Sequence, residues 1–401
     1  MALQPKAFDA LLCLVRGSEQ MVSKQELRQT LWPDVHVSER NLTNLIVSLR
    51  KILGHDAIRT VSKHGYRFEL PVSGEPGIGR ETYERFIRAR ELTTQRSLES
   101  MLLARDLYWT CLAEKPEFAP AWAWLGRCCW FLHKFTYGSS VIPELADAAF
   151  RRAFVLDPDL ASAHQFYTLL EVDIGRADQA MRRLFERLER HPSEAESFSS
   201  LVQVLRFRGL LRESVAAHRR SRELDPAVNT SVAHTFFLAG QYKTAIEAYS
   251  GRAGFYLDAA AWAALDDRKQ AAALLRERLS NTSFSKLITA LMASLLAVLE
   301  GKTDQAERIM EQADTSREPE ILVYFARHYG HMRLLDGSIS ALRLAARSGF
   351  TCSPETLNSD PWLLPLRKHR ELGELLRNAE TSVEKARSSF RKYAASARCF
   401  R

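Results

Sequence analysis

The sequence predicts a mainly α-helical chain in two parts: three helices plus a β-hairpin, followed by an α-solenoid of helical pairs. Three observations predict it. Apolar residues recur at helical spacing along most of the 401 residues, and strand-like alternation is concentrated in residues 58–70. Two prolines and three glycines crowd into residues 71–79, where neither helix nor strand can continue. Pro158, Pro192 and Pro226 each stand 34 residues apart, a period expected of stacked helix pairs.

Taken in order, Pro5 to Val15 reads as the first helix. Proline suits its first turn, and Phe8, Leu11, Leu12 and Val15 form the expected core stripe. Gly17 ends it. Ser23-Lys24-Gln25-Glu26 is a capping box opening the second helix, which Pro33 halts near Leu31-Trp32. Trp32 is expected to plug the core. Asp34 to Val37 leads into the third helix. Ser38 is its expected N-cap and Gly54 its C-terminal stop, with Leu42, Ile46, Leu49 and Leu53 as the buried stripe. Ile58–Val61 and Tyr66–Leu70 read as strands around the turn Ser62-Lys63-His64-Gly65, where Gly65 is expected to take a positive φ.

The outward face of the third helix is the candidate site. It carries Arg40, Asn41, Thr43, Asn44, Val47, Ser48 and Lys51, with Arg50 at its edge. Donors and cations with few carboxylates suit phosphates and base edges in a major groove. A basic hairpin follows directly, with Lys63 and His64 at its tip and Arg59 and Arg67 nearby.

Residues 1–72 resemble the OmpR/PhoB-type winged-helix DNA-binding domain. The motifs are Leu27-Arg28-Gln29-Thr30-Leu31-Trp32-Pro33, Leu49-Arg50-Lys51-Ile52-Leu53-Gly54, Ile58-Arg59-Thr60-Val61 and Gly65-Tyr66-Arg67-Phe68, in that order and spacing. The resemblance implies that the third helix lies in the major groove of double-stranded DNA and that the hairpin is a wing. By position it makes Arg40, Asn44, Ser48, Arg50 and Lys51 groove or phosphate contacts, and Thr60, Ser62, Lys63 and His64 wing contacts. Leu45 stands where many relatives carry a polar contact residue; it reads a thymine methyl or packs. Two departures stand out. The family's small sheet before the first helix has no counterpart ahead of Pro5, so it is absent or encoded upstream. No receiver domain precedes the winged helix, so the expected input is not phosphorylation of an N-terminal aspartate.

Bulk properties agree with a polyanion partner without requiring one. The net charge is +8, and residues 1–72 hold 10 Lys/Arg against 7 Asp/Glu. The six cysteines form no C-x-x-C pair and no metal spacing, so free buried thiols in a reducing cytosol are expected, with a redox switch at Cys128-Cys129 as the alternative. The start lacks a signal peptide's apolar core, and the longest apolar run, Leu287 to Leu299, is too short to span a bilayer. No membrane association and a cytoplasmic location are expected.

The expected organisation is a DNA-binding domain over 1–72, a linker over 73–80, helical repeats over 81–380 and a basic tail or cap helix over 381–401. Leu156-Asp157-Pro158 and Leu224-Asp225-Pro226 repeat one phrase. Trp122-x-x-Leu125-Gly126, the series Ala146, Phe150, Ala153, Pro158, and Gly240-Gln241-Tyr242-x-x-Ala245 have the spacing of tetratricopeptide (TPR) repeats, which this part resembles. Gly175 with Ala180 and Gly301 with Ala306 echo the glycine turn. Small residues would let paired helices approach, aromatic residues fill the gap to the next pair, and the stack encloses a groove. The family's clamp for terminal carboxylates needs Lys and Asn on inner helices. Ala123, Arg127, Gln165, Leu169, Ser199 and Gln203 stand there instead, so the clamp is missing. Arg127, Arg206, Trp130 and Gln203 are either lining for a different groove or solvated and structural.

Enzyme signatures are missing: no H-E-x-x-H, no G-x-S-x-G and no Walker motif occur, and no cofactor is implied. The expected function is a DNA-binding transcription regulator, an activator contacting RNA polymerase near Asp34–Val37. Its repeats would bind a protein or small-molecule ligand, or drive homo-oligomerisation. The alternative is a protein-binding adaptor whose winged helix has degenerated; the modest charge and missing sheet favour it, and Arg40, Arg50, Lys51 and Lys63 oppose it.

Overall fold

The structure, a computed structural model, describes residues 5–16, 21–32, 37–54, 57–61, 64–69, 78–95, 97–136, 141–249, 255–280, 286–313, 318–397 and 400. Cα packing divides the chain into two compact units, Met1–Gly79 and Arg80–Arg401.

The first unit contains α1 (Pro5–Arg16), β1 (Val22–Ser23), α2 (Lys24–Leu31), α3 (Glu39–Leu53), β2 (Ile58–Val61) and β3 (Gly65–Phe68). Its strands form an antiparallel sheet in the order β1-β3-β2. The hairpin expected from sequence therefore gains a third strand, two residues long. Ser23 ends that strand and caps α2, its hydroxyl accepting the Glu26 N–H at 3.1 Å. The core is Ala7, Ala10, Leu14, Leu27, Leu31, Leu42, Ile46, Leu49, Ile58, Tyr66 and Phe68, with Trp32 half-buried against it.

Two sequence expectations change. On α1 the buried positions are Ala7, Ala10 and Leu14, while Leu12 is exposed. Leu11 and Val15 of the expected stripe are half-buried against the same core, the Phe8 side chain lies outside the described residues, and the small alanines take the innermost positions. Gly65 does not adopt a positive φ. It is buried against β1, where an added Cβ would lie 2.0 Å from the Val22 carbonyl oxygen. The glycine is required by close backbone approach, not by a left-handed turn.

The second unit is built from consecutive helix pairs: α4 (Arg80–Gln95) with α5 (Leu98–Glu114), α6 (Ala119–Thr136) with α7 (Val141–Leu156), α8 (Ala161–Asp173) with α9 (Ala177–Arg190), and α10 (Ala195–Phe207) with α11 (Leu211–Leu224). Four more follow: α12 (Val232–Leu238) with α13 (Tyr242–Tyr249), α14 (Leu257–Ala264) with α15 (Arg268–Leu279), α16 (Lys286–Leu299) with α17 (Thr303–Ala313), and α18 (Pro319–His331) with α19 (Leu335–Arg347). The turn inside a pair is left-handed at Gly175, Gly209, Gly240 and Gly301, and at Asp266 and Arg333, which hold the same conformation without glycine. That conformation strains a side chain, so glycine is the expected occupant and the other two carry a small cost.

The chain then turns back on itself. Residues 348–362, including α20 (Pro354–Ser359), run along the glycine turns: the Thr351 N–H donates to the Phe207 carbonyl at 2.8 Å, and the Thr356 hydroxyl to the Leu238 carbonyl at 2.7 Å. A 3-10 turn (Leu364–Lys368) leads to α21 (Leu372–Ala397). That helix continues unbroken across residues 380–381 and packs on α9, with Phe390 and Tyr393 against Phe185. No helix among the described residues is long and apolar enough to cross a membrane.

Candidate nucleic-acid interface

The sequence of α3 separates its faces cleanly. Leu42, Ile46 and Leu49 are buried, and Leu45 and Leu53 are half-buried against the same core. Leu45 therefore packs. Ser38 stands at the N-cap with extended backbone, but its hydroxyl makes no capping bond; Gly54 closes the helix at φ 97°, its N–H bonded to the Arg50 carbonyl. The dipole's positive end is answered instead by Glu39 in the first turn, which the Lys24 ammonium pairs and holds below the usual carboxylate range.

Arg40, Asn41, Thr43, Asn44, Val47 and Lys51 are exposed on one side of α3, and Ser48 is half-buried among them. From Arg40 to Lys51 this face runs about 16 Å at the helical rise, with no carboxylate in it. The side chains of Arg40, Asn41, Asn44 and Lys51 have no hydrogen-bond or ion-pair partner among the described residues. Thr43 and Ser48 donate back to the Glu39 and Asn44 carbonyls at 3.0 and 2.9 Å, which leaves their hydroxyl oxygens as outward acceptors. Val47, 44% exposed, is the apolar member of the face.

Arg50 is placed differently from its neighbours. Its Nε and Nη2 donate to the Ile58 carbonyl at 3.0 and 2.5 Å, and Nη2 also donates to the Thr60 hydroxyl at 2.8 Å. Two residues expected as separate contacts are thus joined, and the guanidinium ties α3 to β2. Of the expected wing residues, His64 is exposed at the turn, while Ser62 and Lys63 lie outside the described residues. So do residues 34–36 of the loop before α3.

Sequence reasoning placed Arg59 and Arg67 near the wing tip without assigning them contacts. The register sets them directly opposite each other on one face of the hairpin. Like charges in that position repel unless an anion answers them; Arg67 has Glu69 at 2.8 Å, and Arg59 has no ion pair among the described residues. The signal was legible only through the strand register.

The inner faces of the second unit show the opposite arrangement. Helix α18 is covered nearly all round: Pro319, Ile321 through His328 and Gly330 are buried. Glu318, just before it, pairs with Lys134 of α6 at 2.7 Å. Glu320 pairs with Arg206 of α10 at 2.9 Å, and Tyr324 shares a hydrogen bond with His234 of α12 at 2.8 Å. His328 is 3.0 Å from the Tyr256 hydroxyl, and burial lowers its pKa to about 3. Arg327 pairs with Asp360 and lies between the rings of Phe237 and Trp362, 4.2 and 4.3 Å from their centroids. The space expected as a groove along α10, α12 and α14 is occupied by this helix of the same chain. Arg206 is thereby a buried, ion-paired residue and not a solvated one. Trp130 donates to Asp173 at 2.7 Å, and Arg127 stacks on Trp124 and Phe166 at 4.8 and 4.5 Å.

No group of His, Cys, Asp and Glu among the described residues could hold a metal ion. Cys111, Cys128, Cys129 and Cys352 are buried free thiols, and burial raises the pKa of Cys129 to about 12.

Residues 1–68 match the family described as "Transcriptional regulatory protein, C terminal". The transcriptional regulator HilA of Salmonella typhimurium is 38% identical over 74 residues, 18% of this chain and 13% of that protein; HilA of Salmonella paratyphi A and of Salmonella typhi match equally. The matched stretch is thus a small part of the curated relatives' length. The three-helix unit with its paired strands, its carboxylate-free α3 face and these matches converge: residues 1–68 carry the OmpR/PhoB-type DNA-binding domain of transcriptional regulatory proteins.

Proposed function

We propose that the protein regulates transcription from the cytoplasm by inserting α3 into the major groove of promoter DNA. The observation that carries this is the outward face of α3, where Arg40, Asn41, Asn44 and Lys51 have no partner within the described residues, while Lys134, Arg206 and Arg327 of the second unit each pair with a carboxylate. In this reading Asn44 and Ser48 address base edges, Val47 meets a thymine methyl, and Arg40 and Lys51 hold phosphates. Arg50 sets the angle between α3 and the wing through β2, and Thr60, Ser62, Lys63 and His64, with Arg59, follow the adjacent backbone.

The helix pairs are read as TPR-like repeats that receive a signal or associate with a second copy. With α18 seated along α10, α12 and α14, a ligand is expected at another surface of the unit. Activation through contact with RNA polymerase near residues 34–37 belongs to the same reading.

The test separates base from phosphate contacts. Asn44→Ala and Ser48→Ala are expected to weaken a selected promoter fragment more than random DNA. Lys51→Ala is expected to weaken both and to lower the salt slope by about one unit. Equal losses on both DNAs for all three variants, with an unchanged slope, would overturn the roles.

A further inference from the structure

Helix α5, the second helix of the first pair, faces outward differently from the second helices of later pairs. On α9, α11 and α17 every exposed side chain is polar. On α5 the exposed set includes Leu98, Leu102, Leu103 and Trp109, each 37–51% open. Leu98, Leu102 and Trp109 stand at i, i+4 and i+11, so they share one stripe over about 16 Å of helix, and Leu103 lies beside Leu102. The Trp109 ring meets Trp122 of α6 edge-on, 5.8 Å between centroids. The opposite side of α5 buries Met101, Ala104, Tyr108, Cys111 and Leu112. The helix is thus apolar on two sides, and the fold covers one of them.

These four side chains expose on the order of 350 Å² of apolar surface, within the roughly 300–600 Å² of the largest patch on a typical monomer, which is often functional. A repeat stack stays soluble by presenting a polar outer face at its ends. The later pairs are overlaid by the chain's own residues 348–362 and α21; the first pair keeps an apolar surface. The charges around the stripe pair within the chain. Arg105, on the stripe between Leu102 and Trp109, pairs with Asp106 at 2.8 Å, and Glu114 at the end of α5 pairs with Arg85 of α4 at 2.7 Å. A face whose charges are paired does not repel its own copy and does not call for a partner of one sign.

We propose that a second copy of this chain docks on the outer face of α5, with Leu98, Leu102, Leu103 and Trp109 of one copy packing against the same residues of the other about a two-fold axis. Two copies bring together on the order of 700 Å² of apolar surface, enough for the core of a standard interface of roughly 1,600 Å² in total. The inference deepens the self-association named in the proposed function and rests on that reading for its biological meaning, but the dimer itself is read without DNA.

The experiment is sedimentation equilibrium of the full-length protein without DNA, over a range of micromolar concentrations, with thermal melting of each variant alongside. The parent chain is expected to sediment as a dimer. Leu102→Glu and Leu103→Glu, changes at exposed side chains, are each expected to raise the dimer dissociation constant at least tenfold. Val155→Glu, at a still more open apolar side chain on α7, is expected to leave it unchanged. A parent chain that is monomeric throughout, a dimer that both α5 variants leave intact, or a dimer that Val155→Glu weakens as much would each overturn the proposal. A monomeric parent whose melting temperature falls in Leu102→Glu would overturn it in favour of cover from within the chain. Failure here with selective promoter binding intact would remove the dimer and leave the regulator standing.

Discussion

Helices α3 and α18 are of similar length, 15 and 13 residues, and each carries arginine and a mixture of polar and apolar side chains. Their surroundings are opposite. On α3 one stripe is buried and the other presents Arg40, Asn41, Asn44 and Lys51 outward without partners among the described residues. On α18 nearly every side is covered, and Arg327 and the neighbouring Glu318 and Glu320 are answered by Asp360, Lys134 and Arg206. An unanswered polar face is what an external partner leaves room for; an answered one is part of the fold. The contrast assigns recognition to the first helix and cohesion to the second.

The largest expected effect tests the answered face. Arg327→Ala leaves Asp360 buried without its cation and is expected to cost about 3–5 kcal/mol of stability, read from urea unfolding of the full chain. Arg40→Ala on α3 is expected to change stability by less than about 0.5 kcal/mol, because nothing in the fold depends on it. Similar losses for the two would erase the distinction between the helices.

Arg50 sharpens the comparison from within α3. Its bonds to Ile58 and Thr60 make it a brace, so Arg50→Ala is expected to destabilise the first unit by about 1–2 kcal/mol in the absence of DNA. An unchanged melting transition of that unit would return Arg50 to the exposed, partner-facing set.

A smaller effect appears with pH. Burial lowers the pKa of His328 to about 3 and those of His164 and His331 to about 4. The folded state then binds fewer protons than the unfolded chain between those values and about 6.5, so these histidines withdraw stability as pH falls through that window. Asp173, raised to about 6 chiefly by burial, and Glu171, raised by burial, act in the opposite direction. His328→Gln is therefore expected to flatten the acid limb of the stability profile relative to the parent chain, by up to one proton's slope. An identical slope in both would show that His328 titrates normally.

What the sequence made legible follows the same division. The stripe Leu42, Ile46, Leu49 and the outward face of α3 were readable because an amphipathic helix writes its two faces at 3.6-residue spacing. The helix pairs were readable through their repeated prolines and glycines. The inward register of α1 was not, because Ala7 and Ala10 carry little hydrophobic signal beside Leu12. The role of Gly65 was misread because close approach to β1 depends on a strand only two residues long. Arg50 looked like its exposed neighbours, since the carbonyl that holds it lies eight residues away in another element. The burial of α18 did leave a trace: Pro319-Glu-Ile-Leu-Val-Tyr-Phe-Ala-Arg-His-Tyr-Gly-His has no continuous polar stripe. A helix apolar around its circumference is covered around its circumference, but which helices cover it depends on contacts up to 184 residues apart.

The central claim is that the unanswered face of α3 reads promoter DNA. Selection of genomic fragments by the full-length protein at near-physiological salt, with Asn44→Ala in parallel, tests it most directly. The account predicts enrichment of a few promoter fragments by the parent chain and loss of that selectivity in the variant. Weak, unselective binding that salt erases in both proteins would contradict it, and would assign the helix pairs, not α3, as the surface that meets a partner.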